Sequence, residues 1–407
     1  MPDITLTDSP TASSSSAVPD FLDPGFYVDI DAMHEALRQL RQHHPVAWDE
    51  KNRLWGVTRH ADVVEVERRD DVFVSGQGYR SFFAPGEDNM IAQDDPRHSQ
   101  QRKLISRRFT PKAVRSLEPR LARIMDELIG AWIDRGEVEI VSELAAPLPA
   151  RLTAGLLGFP EDRWTDIKSW SERLMRYDKA ANDLEAGTEF FEAIIEFAGV
   201  LTEVAAARRA EPADDLISVW TRAEIDGCPM ADDTIMNETG LMISGGAETT
   251  RTVITRSLAE FCRHPEQWEA MADDPSLVPA AVEEMIRWVT PLNNFFRTAV
   301  QPVSIGGVPM AAGDRVVLLY PSANRDEEVF DDPYRFDVRR EPNPHVSFGF
   351  GTHFCLGAPL ARFELRMLME RLTQRITNLR VIEPPVIEAN IFVGAVRSFR
   401  LGFDRRV

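Results

Sequence analysis

Cysteine is scarce in this sequence of 407 residues, which also has neither a long apolar run nor an excess of basic charge. Cys228, Cys262 and Cys355 are odd in number and far apart, with no CxxC pair, so they indicate neither a disulfide framework nor a zinc site. No apolar run approaches the roughly 18 residues that cross a bilayer, and the N-terminus lacks the basic and apolar regions of a signal peptide. We therefore expect a cytoplasmic protein without a membrane anchor, in which any special cysteine acts singly.

The charge balance is strongly acidic, with 65 acidic against 46 basic residues and a formal net charge of −19. This balance disfavours nucleic acid and anionic membranes as partners. The hydrophobic fraction of 43% is ordinary for a globular enzyme. Residues 1–20 are rich in Ser, Thr, Pro and Asp, so we expect a disordered tail there and a single folded domain over residues 21–407.

Most of the chain has helical periodicity, and two short segments have the pattern of β-hairpins. The hairpins are predicted at Val46–Val57 and at Val303–Met310, the second turning at Gly306-Gly307. Amphipathic helices are predicted over residues 116–135, 161–178, 186–209, 232–263, 277–289 and 358–377. Residues 320–357 form a long irregular loop, too long for a simple connector. The sequence thus predicts a mainly α fold with a small β region.

The most informative segment is Phe348-Gly349-Phe350-Gly351-Thr352-His353-Phe354-Cys355-Leu356-Gly357. Its three glycines let the backbone turn tightly and approach a flat ligand closely. A helix is predicted to open at Pro359, so Cys355 lies just before free N–H groups and the positive end of a helix dipole, which favour a thiolate able to bind iron. A lone cysteine is more often a small buried hydrophobe, and that reading suits Cys228 and Cys262.

A second motif lies in the middle of the predicted helix that Asp232 and Asp233 would cap and Pro265 would end. Adjacent Gly245 and Gly246 cost a helix about 1 kcal/mol each relative to alanine.

Such a break in a strong helix favours a functional gain, here room for a cofactor, dioxygen and substrate. Next to the glycines, Glu248 and Thr249 pair an acid with an alcohol, which can relay protons. The alternative is a kinked helix with Glu248 in solvent.

Both motifs resemble those of the cytochrome P450 family. Residues 348–357 match the heme-binding signature Phe-Gly-x-Gly-x-His-x-Cys-x-Gly at every fixed position, and residues 245–250 are similar to the oxygen-binding motif (Ala/Gly)-Gly-x-(Asp/Glu)-Thr-Thr. The resemblance implies a cytochrome P450 fold, heme b, Cys355 as the iron ligand, and Glu248 and Thr249 as proton-delivering groups. It implies a monooxygenase that inserts one atom of O2 into a C–H bond of a hydrophobic substrate.

The same resemblance assigns further heme contacts. His98, Arg102, Arg297 and His353 would meet the heme propionates, although each alone could equally be a surface cation. The remaining predicted heme-contacting residues are Phe348, Gly349, Gly357, Gly245 and Gly246.

Glu284 and Arg287 stand three residues apart, opposite the apolar stripe of their helix, so periodicity alone predicts an exposed pair of small value. The resemblance instead implies a structural ion pair covered by the irregular loop. Its third member would be Arg340, with neighbouring Arg339 as the alternative.

Substrate and redox partner are predicted from the same family. The pocket would be largely apolar, which indicates a steroid, terpenoid or fatty-acid-like substrate, with a weak similarity to bacterial steroid side-chain hydroxylases. Asn293 and Asn294 are candidate polar anchors, and Arg80 could meet a carboxylate. The predicted substrate-binding residues are Tyr79, Phe82, Phe83, Met90, Met242, Ala247, Leu292, Asn293, Asn294, Phe295, Phe392 and Val393.

No flavin or iron–sulfur motif is present, so a ferredoxin and its reductase would supply electrons. The docking surface would be the basic cluster of Arg102, Lys103, Arg107, Arg108 and Lys112, unless this is only a solvated helix face. A peroxide-driven peroxygenase and a non-catalytic heme sensor are the alternative functions.

Overall fold

The computed structural model describes residues 18–180 and 183–406. Nearly all of the predicted tail lies outside these residues, but Asp20 belongs to them, and its carboxylate accepts hydrogen bonds from Lys51 Nζ at 2.6 Å and Asn52 Nδ2 at 2.5 Å. No helix in this part of the chain is long and apolar enough to cross a membrane.

Helices dominate the described residues. Their bounds are α1 Ile30–His43, α2 His60–Arg68, α3 Arg97–Ile105, α4 Pro111–Arg115, α5 Glu118–Trp132, α6 Pro147–Leu157, α7 Trp164–Leu174, α8 Tyr177–Ala180, α9 Leu184–Ala210, α10 Leu216–Trp220, α11 Asp232–Arg263, α12 Pro265–Asp273, α13 Val278–Val289, α14 Tyr320–Ala323 and α15 Ala358–Thr373.

Most strands are short, β11 and β12 being the long ones, and together they form four sheets. Their bounds are β1 Val46–Asp49, β2 Leu54–Val57, β3 Phe73–Val74, β4 Glu137–Glu139, β5 Glu224–Ile225, β6 Cys228–Pro229, β7 Asn294–Ala299, β8 Val303–Ile305, β9 Val308–Met310, β10 Arg315–Leu319, β11 Ile376–Ile387 and β12 Val396–Arg405. The largest sheet has the order β1-β2-β10-β7-β3, and a second has the order β11-β12-β4. Both predicted hairpins are present, as β1 with β2 and β8 with β9.

The long helix α11 crosses the molecule and organises its core. It spans 32 residues, which is about 48 Å at 1.5 Å per residue. Apolar residues of its C-terminal half, such as Ile254 and Leu258, pack with residues of α6, α13 and β12 in the largest hydrophobic cluster. The helix ends before Pro265, as predicted, because proline begins α12.

The predicted cap of α11 is wrong. Ala231 is the N-cap residue and contributes no side-chain capping bond, while Asp232 and Asp233 lie within the first turn. Asp232 instead forms an ion pair with Arg209 at the end of α9. Acidic side chains in a first turn still favour the helix through its dipole.

Candidate functional site

A cavity of about 700 Å³ lies between α11, α15, the cysteine loop of residues 348–357, strand β7 and residues 79–91. The wall includes both glycines of α11 and the sulfur-bearing residue Cys355. Two motifs more than a hundred positions apart in the sequence therefore face one space.

The cysteine loop turns sharply beneath this cavity. Gly349 and Gly351 have φ angles of 69° and 68°, a region that side chains rarely adopt. A Cβ on Gly351 would lie 2.5 Å from the backbone oxygen of Glu67, so the loop can approach α2 only with glycine there. The backbone N–H of Cys355 donates to the carbonyl of Phe348 at 2.8 Å and closes the loop.

Cys355 lies three residues before the first residue of α15, as the sequence predicts. Burial raises the pKa of its thiol, whereas the backbone N–H groups of Gly357 and Ala358 and the positive charges of Arg102 and Arg362 lower it. Four groups thus favour the anionic sulfur against the cost of burying it.

Four basic side chains, those of His98, Arg102, Arg297 and His353, line the same cavity. The rings of His98 and His353 are 4.1 Å apart. Burial, together with the neighbouring charges of Arg297, His98 and Arg102, lowers the pKa of His353 to about 2. Its buried Nδ1 has no hydrogen-bond partner among the described residues. So dense a cluster of positive groups and donors fits an anionic ligand.

Glu67, which sequence reasoning missed, places an acidic side chain next to this basic cluster. Its Oε1 accepts a hydrogen bond from Tyr320 at 2.5 Å and lies 3.6 Å from Nη2 of Arg297. Burial raises the pKa of Glu67, whereas Arg297 and Tyr320 lower it, and the net result is a raised pKa of about 7. Within its run of charged residues on α2, nothing in the sequence distinguishes Glu67 from a surface acid.

The glycines of α11 give the cavity a groove. Gly245 and Gly246 are exposed towards it, and the Thr249 hydroxyl donates to the backbone oxygen of Gly245 at 2.9 Å. A Cβ on Gly246 would lie 2.8 Å from Thr153 Oγ1, whereas one on Gly245 would meet no atom within 4 Å. Hence helix α6 requires the second glycine, while the first only keeps the groove open.

Glu248 does not lie on the cavity wall. Its side chain is buried, and Oε2 accepts a hydrogen bond from Nη1 of Arg251 at 3.1 Å. The same guanidinium bonds Glu172 on α7 and the backbone oxygen of Val396. Burial raises the pKa of Glu248, and Arg251 lowers it. The predicted alternative of a solvated acid is wrong.

Comparison with known proteins shows which family the chain belongs to. A sequence model of the family described as cytochrome P450 matches residues 182–380. A steroid C26-monooxygenase of Mycolicibacterium smegmatis is 40% identical over 384 residues, covering 92% of this chain and 94% of that protein. Another steroid C26-monooxygenase, from Mycobacterium tuberculosis, is 38% identical over 391 residues, covering 94% and 96%. The chain belongs to the cytochrome P450 family.

Solved structures agree with this assignment. A Mycobacterium marinum cytochrome P450, solved in complex with pseudoionone, superposes with a TM-score of 0.88 at 33% identity, covering 96% of this chain and 100% of that one. The chain is thus a cytochrome P450 monooxygenase with heme b as its cofactor. The cavity fits heme, because four basic side chains, including His353 with an Nδ1 that has no partner in the described part of the chain, can meet two carboxylates beside the cysteine loop.

The cytochrome P450 cavity includes seven of the predicted substrate-binding residues, namely Tyr79, Phe82, Met90, Met242, Leu292, Phe295 and Phe392. Five others do not line it, namely Phe83, Ala247, Asn293, Asn294 and Val393. Phe83 is 54% exposed at the surface, and Ala247 is buried. Val393 pairs through its backbone with Leu292.

Asn293 and Asn294, the predicted polar anchors, lie behind the cavity wall, and their Nδ2 groups donate to the backbone. Asn293 Nδ2 donates to the backbone oxygens of Asn390 and Ile391, and Asn294 Nδ2 donates to Ile391 at 2.9 Å. Sequence reasoning also missed apolar wall residues that come from distant helices, namely Leu152, Leu156, Phe190, Phe191, Ile194 and Leu241.

Away from the cavity, Glu284 and Arg287 form a fully buried ion pair with bonds of 2.7 and 2.8 Å. The irregular loop covers them, so the exposure expected from periodicity is wrong. Nε of Arg340 donates to Glu284 at 3.1 Å, whereas the backbone N–H of Arg339 donates to Asp337. Arg340, rather than Arg339, thus joins the pair.

Proposed function

We propose that this cytochrome P450 is a heme-thiolate monooxygenase that inserts one oxygen atom of O2 into a C–H bond of a steroid-like hydrophobic molecule. The observation that carries the proposal is that Cys355 faces one cavity together with the glycine groove of α11 and four propionate-binding candidates. A cytoplasmic location is part of the proposal.

Cys355 is the proposed iron ligand. When bound, heme supplies the iron at which dioxygen is activated, and a thiolate donates electron density that favours cleavage of the O–O bond. The N–H groups of Gly357 and Ala358 stabilise the sulfur anion.

His98, Arg102, Arg297 and His353 are proposed to hold the propionates. His98 is fixed for this by its Nδ1, 2.7 Å from the backbone oxygen of Met90, and Arg102 by its bond of 2.7 Å to the backbone oxygen of Phe354.

Thr249 and Glu248 are the proposed proton-delivering pair. The Thr249 hydroxyl lies on the groove and holds its own hydrogen at the oxygen of Gly245. Glu248 is one position away but bound to Arg251, so its carboxyl must leave that guanidinium to reach the cavity. In this proposal Arg251 binds the Glu248 carboxylate and keeps it out of the groove between proton transfers.

The substrate proposal depends on the wall and on the relatives. Apart from a few polar groups, the wall consists of aromatic and aliphatic side chains such as Phe82, Met242, Phe295 and Phe392, which favours a hydrophobic substrate. The two relatives named above are steroid C26-monooxygenases, and a cytochrome P450 of Bacillus megaterium was solved in complex with testosterone.

Electrons are proposed to come from a ferredoxin and its reductase. Lys103, Arg107 and Lys112 are exposed basic residues on an acidic protein. They lie on and after α3, whose Arg102 bonds the backbone next to Cys355. An acidic ferredoxin would therefore dock close to the sulfur.

The test is the carbon monoxide spectrum of the reduced, heme-loaded protein. The wild type and the control Cys262→Ser should give the red-shifted Soret band of thiolate ligation, and Cys355→Ser should lose it while keeping a native circular dichroism spectrum. The same band in Cys355→Ser would refute the ligand assignment. Product carrying label from ¹⁸O2, formed with a ferredoxin pair from a steroid, would support the reaction. Turnover only with peroxide, unchanged in Thr249→Ala, would favour the peroxygenase.

A further inference from the structure

Two charged residues lie on the part of the cavity wall formed by residues 79–91, which is otherwise mostly apolar. Arg80 and Glu87 both line the cavity, and Nη2 of Arg80 donates to the two carboxylate oxygens of Glu87. Their side chains are only 16% and 17% exposed. Glu87 Oε1 also accepts hydrogen bonds from the Tyr79 hydroxyl at 2.8 Å and from Asn89 Nδ2 at 3.0 Å. The Glu87 carboxylate therefore accepts hydrogen bonds from three side chains.

The guanidinium of Arg80 is held in place but retains free donors. It lies 4.8 Å from the ring centre of Tyr79 and 4.4 Å from that of Tyr177. Its backbone oxygen accepts a hydrogen bond of 2.6 Å from Arg315. Within residues 18–180 and 183–406, Nε and Nη1 of Arg80 have no hydrogen-bond partner. A fixed group with unused N–H donors on a cavity wall is prepared to bind an acceptor.

The charge of Arg80 is already balanced. One carboxylate neutralises one guanidinium, so a substrate carboxylate arriving here would gain little from Arg80 and would be repelled by Glu87. A second acid lies nearby, because Asp178 accepts a hydrogen bond from Ser81, the residue next to Arg80. A neutral oxygen is not repelled by these acids, and it can accept hydrogen bonds from the free N–H groups of Arg80.

We propose that Arg80 and Glu87 together select substrates with a neutral oxygen, a ketone or a hydroxyl, and reject carboxylates. Arg80 donates to the oxygen, while Glu87 fixes Arg80 and excludes the anion. The sequence expectation that Arg80 meets a carboxylate is thereby replaced. This inference depends on the proposed function, because it requires a hydrophobic substrate in the cavity.

The test compares the binding of three ligands that share one ring, namely cyclododecanone, cyclododecane and cyclododecanecarboxylic acid, measured by competition at equilibrium with the heme-loaded protein. The wild type should bind the ketone about tenfold more tightly than the hydrocarbon, which is about the effect of one hydrogen bond, and the acid most weakly. Arg80→Met should remove the preference for the ketone without weakening the hydrocarbon. Glu87→Gln, which keeps the shape of the side chain, should improve binding of the acid at least tenfold and change that of the ketone less than threefold.

The control is Glu35→Gln, which breaks the exposed Glu35–Arg38 pair and should change none of the three affinities. A wild type with no preference for the ketone, an Arg80→Met variant that weakens ketone and hydrocarbon equally, or a Glu87→Gln variant that still rejects the acid would each overturn the inference. The carbon monoxide spectrum is recorded for every variant. If the red-shifted Soret band is absent, only the thiolate assignment is refuted, because the affinity ratios do not depend on the iron ligand.

Discussion

Removal of the carboxylate of Glu284 should destabilise the protein more than any change at its surface ion pairs. Glu284 and Arg287 have fully buried side chains, and Arg340 is only 9% exposed. Glu284→Ala leaves the Arg287 guanidinium without its anion in the core, and the backbone N–H of Asp337 loses its acceptor at 3.0 Å. Breaking a buried pair on one side costs about 3–5 kcal/mol, a large part of the roughly 5–15 kcal/mol that stabilises a typical domain.

The assay is urea unfolding followed by far-ultraviolet circular dichroism, in which the midpoint should fall while the slope stays constant. Glu284→Gln keeps an acceptor oxygen and should lose less, about 1.5–3 kcal/mol. The matched control is Glu35→Ala, because Glu35 and Arg38 have the same spacing on α1 but are 56% and 34% exposed, so the midpoint should stay within error of the wild type. Equal losses in Glu284→Ala and Glu35→Ala would refute the reasoning that burial, rather than spacing, sets the value of the pair.

Two further predictions concern α11. Gly246→Ala would bring a Cβ to 2.8 Å from Thr153 Oγ1 and should cost about 1–3 kcal/mol by overpacking, recoverable in the double variant with Thr153→Ala. Gly245→Ala, with open space at that position, should instead be neutral or stabilise by up to about 1 kcal/mol in the same urea unfolding assay. Burial raises the pKa of Glu238 to about 8, against the 4.5 usual for glutamate, with Asp88 adding to the rise and the Met90 N–H and Arg97 opposing it. The folded state then holds a proton that the unfolded state has lost, so stability should fall as the pH rises from about 4.5 to about 8. Glu238→Gln should flatten that part of the pH profile of unfolding, and an unchanged profile would show that Glu238 does not cause it.

Much of the helical framework could be predicted because its determinants are local. The bounds of α11 follow from its periodicity and from Pro265, and both hairpins follow from their turns. The predicted helix over residues 358–377 ends instead at Thr373, because Ile376 begins β11 and pairs with Arg405 at the far end of the chain. Such pairing has no local signature. The predicted stretch 161–178 likewise divides at Met175 and Arg176 into α7 and α8.

The candidate site divides in the same way. The cysteine loop and the glycine groove are contiguous motifs, so their residues could be named from the sequence, and the cavity brings them together. Glu67 and the Arg80–Glu87 pair belong to no motif, and their importance arises from contacts with Arg297, Tyr320 and the cavity itself. Asn293 and Asn294 lie in the correct segment but face backbone oxygens of residues 390 and 391, a side-chain direction that strand alternation alone did not reveal.

One turn of α13 explains how a loop with little regular structure can hold the cysteine in place. Adjacent Glu283 and Glu284 face different neighbours. Glu284 organises the irregular loop through Arg340, whose Nη1 bonds the backbone oxygen of Asp331 at 2.6 Å.

Glu283 bonds Arg362 of α15 at 2.7 and 2.8 Å and lies 3.1 Å from His345 Nε2. Arg362 lies 4.6 Å from the ring centre of Phe348, whose carbonyl accepts the N–H of Cys355. Because both glutamates project from one rigid helix, movement of the irregular loop is resisted by the same element that positions the sulfur. Two carboxylates that do not line the cavity thus hold Cys355 in the fixed position that its proposed role as iron ligand requires.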